Sequence, residues 1–279
     1  MAYKTILTII TNPDLSRSAL EQAIAVATQS QAHLEVLCIG VDQTQPSFYY
    51  AGANAIIQQE TLTRAREDAQ AIEAAVQERL RPEGIAWGTE SGVAQIIGLS
   101  QMVAQHARFA DLVVAPPPYG ESADLSDETT VEAAMFGGKA PMLMIPAKCA
   151  VESMGRKIVI AWNQSEEALA AIRLSMPMLQ AADLVNICII DPPQHGPDRS
   201  DPGGALSQML SRHGVRAEIS VLAKTMPRVS DVLMRHMQDI DADMLVMGAY
   251  GHSRFREAIL GGATRNMLEN SPYPVLMAH

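Results

Sequence analysis

A chain of 279 residues that is 48% hydrophobic can bury one large core or two modest ones, and two domains fit the usual size range better. Its formal charge of −10, with no cluster of Lys and Arg, excludes a nucleic-acid binder, because neutralising phosphates needs such clusters. The three cysteines are far apart and no Cys/His group has metal-ligand spacing, so no structural zinc site is expected, and Cys38 and Cys188 read as small hydrophobes in apolar runs. Met1 to Thr5 leads straight into a strand-like segment with no signal-peptide core, and no apolar run approaches the ~20 residues that span a bilayer. A cytoplasmic protein away from membranes is therefore expected.

In chain order, Tyr3–Thr11 is a β-rich run that turns into a helix with Ser16 at its N-cap. The apolar run His33–Val41 follows. Between Thr61 and Leu80, Leu62, Ala65, Ala69, Ile72, Val76 and Leu80 share one helical face, and Arg81-Pro82 with Gly84 stops the helix. Ala110–Gly120 (ADLVVAPPPYG) is a buried strand and its exit, and PMLMIP from Pro141 closes this half. Residues 148–156 (KCAVESMGR) form a joint. The pattern then repeats. Lys157–Trp162 is a strand, Ser165 is an N-cap with Glu166 and Glu167 in the first turn, and Asp183–Ile190 is apolar. Val229–Met237 reads as a helix, Ala242–Gly251 (ADMLVMGAYG) matches Ala110–Gly120, and PVLMAH from Pro274 matches PMLMIP.

Similar segments in similar order make the chain a tandem duplication, with domains at 1–147 and 156–279. The strands are continuously apolar, as strands buried on both faces of a parallel sheet are. Strand–helix alternation of this kind gives doubly wound α/β domains. Ligands then sit beyond the carboxyl ends of the strands, where strand order reverses, so the loops after strands one and four are the places to look.

Asp243–Met247 is strand four of the second half. After it come Gly248, two residues, Gly251, nine residues, then Gly261, Gly262, Ala263 and Thr264. Gly248 leaves the strand without a Cβ against a ligand, and Gly251 permits positive φ. The intervening loop carries His252 and Ser253. Gly261 and Gly262 open a helix at Ala263–Glu269, whose unpaired N–H groups and dipole suit an anion, and Thr264 adds a hydroxyl. Glycines also serve tight turns and helix–sheet packing, but three in this register favour a ligand.

This segment resembles the nucleotide-binding signature of the universal stress protein family: glycine, two residues, glycine, nine residues, glycine, then usually Ser or Thr. The similarity covers the chain as two copies, as in tandem bacterial members. It implies two Rossmann-like domains of the adenine nucleotide alpha hydrolase-like kind, each a five-stranded parallel sheet with helices on both faces. It also implies a stress-response regulator holding ATP or a related adenine nucleotide, with Mg2+ as the accompanying ion. Gly248, Gly251 and Gly261 match the signature, whereas Gly262 stands where a hydroxyl is usual. Asn163 matches an Asp after strand one that meets adenine or ribose; it is equally a turn residue before Ser165. Ile189 matches an apolar position beside the base and is equally ordinary core.

In the first half the corresponding exit is Pro116-Pro117-Pro118, which removes backbone donors, followed by an acidic stretch containing Asp124, Asp127 and Glu128. The first half is therefore expected not to bind nucleotide. No Walker loop, GxGxxG, GxSxG or HExxH occurs, and no carboxylate base stands out beside the loop, so hydrolysis is expected to be weak at most. The alternative to a nucleotide-binding regulator is a scaffold acting through homodimerisation or partner binding.

Overall fold

The computed structural model describes residues 2–42, 54–120, 123–147, 149, 154–192, 201–249 and 262–279. Two compact units divide between Ala140 and Pro141.

In the unit Ala2–Ala140 the elements are β1 (Thr5–Ile10), α1 (Pro13–Ser30), β2 (His33–Asp42), α2 (Asn54–Leu80), β3 (Trp87–Gln95), α3 (Ile96–Ala107), β4 (Leu112–Ala115) and α4 (Leu125–Glu132). A π-helical turn, Ala133–Gly137, extends α4. The sheet order is β3-β2-β1-β4, parallel throughout. The α2 face is as the periodicity predicts, with Ala65, Ala69, Ile72, Val76 and Leu80 buried, but the helix starts earlier, at Asn54. The start of α1 also differs from expectation. Asn12, not Ser16, is the N-cap: its side chain accepts from the N–H groups of Asp14 and Leu15, and Pro13 needs no donor at the first helical position. Ser16 lies inside the helix and is buried.

In the unit Pro141–His279 the elements are β5 (Met142–Met144), β6 (Lys157–Ala161), α5 (Glu166–Leu174), α6 (Met176–Ala181), β7 (Leu184–Ile190), α7 (Gly204–Arg212), β8 (Ala217–Leu222), α8 (Val229–Asp239), β9 (Met244–Gly248), α9 (Ala263–Asn270) and β10 (Val275–Ala278). Five parallel strands run in the order β8-β7-β6-β9-β10. The first four repeat the order of the other unit, so the duplication is one of topology as well as of sequence. One strand departs from the all-parallel expectation. Met142–Met144, which ends the first repeat, pairs antiparallel with β10 and belongs to this unit. Ser165 is the N-cap of α5, accepting from the Ala168 N–H.

The recurrent Ala-Asp pair has a structural cause. Asp111 Oδ2 accepts from the N–H groups of Lys4 and Thr5 at 2.7 and 3.0 Å. Asp243 accepts from those of Gly155, Arg156 and Lys157. Each carboxylate satisfies backbone donors at the start of the strand that opens its repeat, β1 and β6.

Candidate nucleotide site in the second unit

The strand order brings the carboxyl ends of β9, β6 and β7 side by side, with Ala161 registered against both Met247 and Cys188. Gly248, Asn163 and Ile189 all lie at this edge. Gly248 ends β9, and a Cβ there would stand 2.5 Å from the Ala168 nitrogen and 2.8 Å from the Glu167 carbonyl carbon. The glycine lets the first turn of α5 press against the strand end. Packing, not clearance for a ligand, is what this position visibly requires.

Asn163 is exposed, and its Oδ1 accepts from the Ser165 N–H at 3.1 Å. That is the turn role, and it leaves the Nδ2 donor at the rim. Ile189 is core, only 5% exposed, and Gly203 at the entrance to α7 is so near that a Cβ there would meet its Cδ1 at 2.8 Å. Beyond Ala249, which donates its N–H to the Ala278 carbonyl, Gly251, His252, Ser253 and Gly261 lie outside the described residues.

The chain is described again at Gly262, the N-cap of α9, which has no side chain to cap the helix. The amino end of α9, where the helix dipole is positive, therefore begins on a glycine. Thr264 itself is buried.

The same edge of the first unit is built differently. Pro116 and Pro118 are buried after β4. Asp124 and Asp127 then form a capping box at the start of α4, and the Thr11 hydroxyl donates to Asp127 at 3.1 Å. Burial raises the Asp127 carboxyl above the usual carboxylate range. A cavity of about 440 Å³ opens here, lined among others by Thr11, Asn12, Gly40, Asp68 and Asp124. Where an anion would need donors, this unit offers carboxylates.

Residues 154–279 match the family model described as the universal stress protein family. The second unit is a universal stress protein domain. A universal stress protein of Synechocystis sp. is 26% identical over 121 residues, covering 43% of this chain and 41% of that relative, so the match spans less than half of either protein. Among solved structures, a universal stress protein from Archaeoglobus fulgidus DSM 4304 superposes with a TM-score of 0.73 at 13% identity over 98% of this chain and 95% of its own. A putative universal stress protein from Pseudomonas aeruginosa UCBPP-PA14 gives 0.65 at 18% over 99% and 93%. At such identities these likenesses show the shared α/β fold across both units. Among the described residues, no helix is long and apolar enough to cross a membrane.

Within the universal stress protein domain the structure adds one residue of interest that the sequence did not mark. Arg228 precedes α8, and its Nη1 donates to Asn266 in the first turn of α9 at 3.4 Å. This sets a guanidinium beside that helix end. An isolated arginine after Pro227 carries no motif, and only the packing of α8 on α9 reveals it.

Proposed function

We propose that the second unit binds an adenine nucleotide and acts as a stress-response regulator, with the phosphates at the amino end of α9. The observation that carries this reading is the start of α9 at a glycine N-cap, Gly262, with Arg228 beside it, in a universal stress protein domain. Backbone donors, a helix dipole and a guanidinium together suit a phosphate. Gly248, Gly251, His252, Ser253 and Gly261 supply the loop, Gly262, Ala263 and Thr264 the helix start, and Asn163 and Ile189 the base side. Mg2+ arrives as the counter-ion of the phosphates. The acidic lining of the first unit leaves one nucleotide per chain. Binding with slow turnover at most fits Gly262, which brings no hydroxyl to the phosphates.

Calorimetric titration of the full chain with ATP, ADP and AMP tests the proposal, together with mass spectrometry of small molecules released on denaturation. One equivalent bound, lost in Gly261→Val and weakened several-fold in Arg228→Ala, is the expected result. No released and no titratable nucleotide would leave the scaffold reading, which light scattering for a homodimer then addresses. The proposal also expects a cytoplasmic protein, checked by fractionation.

A further inference from the structure

His106 lies in the last turn of α3, over the face of the sheet that carries Glu35 of β2 and Glu90 of β3. The register explains the meeting. Glu35 is opposite Gly88, and Glu90, two residues on, shares that face. His106 Nδ1 is 3.6 Å from Glu35 Oε1, and its Nε2 is 3.7 Å from Glu90 Oε1. One donor atom from each of the three side chains falls within 4.8 Å of the others. Among the described residues neither carboxylate has a Lys or Arg partner. His33, two residues before Glu35 on the same face, adds a fourth donor close by: its Nε2 is 3.4 Å from where a Cβ on Gly88 would stand.

The second unit has the same three positions filled otherwise. His236 lies in the last turn of α8, Asn186 takes the place of Glu35, and Ser220 that of Glu90. Glu35 and Asn186 are each opposite the third residue of the strand that opens their repeat, Leu7 of β1 and Val159 of β6. Glu90 and Ser220 each stand two residues beyond their partners' register mates, Gly88 and Glu218. Here the trio is neutral and closed, with His236 Nε2 2.9 Å from Asn186 Oδ1 and Asn186 Nδ2 donating to Ser220 Oγ at 2.9 Å. An imidazole under the helix thus needs only an amide and a hydroxyl to be satisfied in this fold. The first unit instead sets it between two carboxylates, with the His33 imidazole farther along the same face beside Gly88.

We propose that Glu35, Glu90 and His106 form a binding site for a divalent first-row transition-metal cation, with His33 or water completing its shell. Mixed imidazole and carboxylate donors suit Zn2+ in tetrahedral coordination, which draws donors to about 3–3.5 Å from one another. The half-exposed Glu90 tip is free to make that adjustment. Within the first unit the site lies toward the amino ends of the strands and ties the edge strand β3 to β2 and α3. Neither site needs the other.

The test is calorimetric titration of the tag-free, chelator-stripped full chain with Zn2+, and with Co2+ followed by its visible absorption, near pH 7.5. One site per chain is expected, weakened at least tenfold in the double variant Glu35→Asn/Glu90→Ser. That variant copies the arrangement of the second unit and should keep its fold; Glu90→Gln serves as a second variant if it does not. His33→Ala should weaken binding less than His106→Ala. A wild-type chain that binds neither metal overturns the proposal. Equal affinity in the folded variants also overturns it, since the metal would then sit on other histidines.

Discussion

The two repeats keep one strand order and one pair of aspartate staples, yet differ at both edges of their sheets. At the carboxyl edge, the second unit ends β9 on a glycine and restarts at a helix with a glycine N-cap, whereas the first follows β4 with buried prolines and a self-capped acidic helix. At the amino edge the polarity is reversed: the second unit closes a neutral hydrogen-bonded trio, and the first concentrates charge. The scaffold needs buried strands and satisfied backbone. What stands at the strand ends is free to diverge, and there the two copies present different side-chain chemistry.

The comparison is broken most severely at the glycines that allow close packing. Gly248→Ala forces a Cβ against the backbone at the start of α5, and Gly138→Ala puts one 2.6 Å from the Ala107 Cβ and 2.7 Å from the Ala134 carbonyl oxygen. Each should cost its own unit about 1–3 kcal/mol, read as a fall in the midpoint of denaturant unfolding. The two should act on different transitions if the units unfold separately. Gly248→Ala with unchanged stability but no nucleotide binding would move the role of this glycine from packing to the ligand.

An effect no larger is expected at the histidines. His236→Leu leaves the buried Asn186 short of a partner, which costs about 1–3 kcal/mol, whereas His106→Leu removes a more exposed ring and should cost less. Burial lowers the pKa of His236 below 6.5, with Asp239 opposing the shift, while Asn186 and Ser220 face it as neutral groups. The unfolded chain therefore takes up the proton first. Stability of the second unit is fully present above about pH 6.5. It should fall as pH drops through the lowered folded value. Urea midpoints between pH 7.5 and 5 should show this loss in the wild type and a flatter profile in His236→Leu.

Much of the scaffold was readable from residue order. Buried strands advertise themselves as continuous apolar runs, and two copies in one chain make the pattern self-checking. The α1 cap is not legible because Ser16 looks like a cap by type, while Asn12 before Pro13 has the better geometry. The antiparallel strand Met142–Met144 could not be oriented from three apolar residues, since direction depends on the partner it meets. Of the nucleotide site, the start of α9 was read directly from Gly262 and the helical run after it. Gly248 was read as serving a ligand because the approach of α5 is a tertiary fact. Arg228 and the Glu35–Glu90–His106 cluster stayed hidden for the same reason: each joins elements remote in sequence.

The mildest probe of the comparison uses the cysteines. Cys38 in β2 and Cys188 in β7 are buried, and burial pushes both thiols up to about 12. Buried and held in the thiol form, both should react slowly in the folded chain. Cys149 is partly exposed, so a disulfide reagent should label one thiol per native chain, slowly because its pKa is raised as well. As denaturant is added, each remaining cysteine becomes reactive when its own unit opens, and peptide mapping identifies which. The order in which Cys38 and Cys188 appear then ranks the two repeats. Excess Zn2+ should delay Cys38 alone and nucleotide should delay Cys188 alone, since a ligand protects only the unit whose native state it binds.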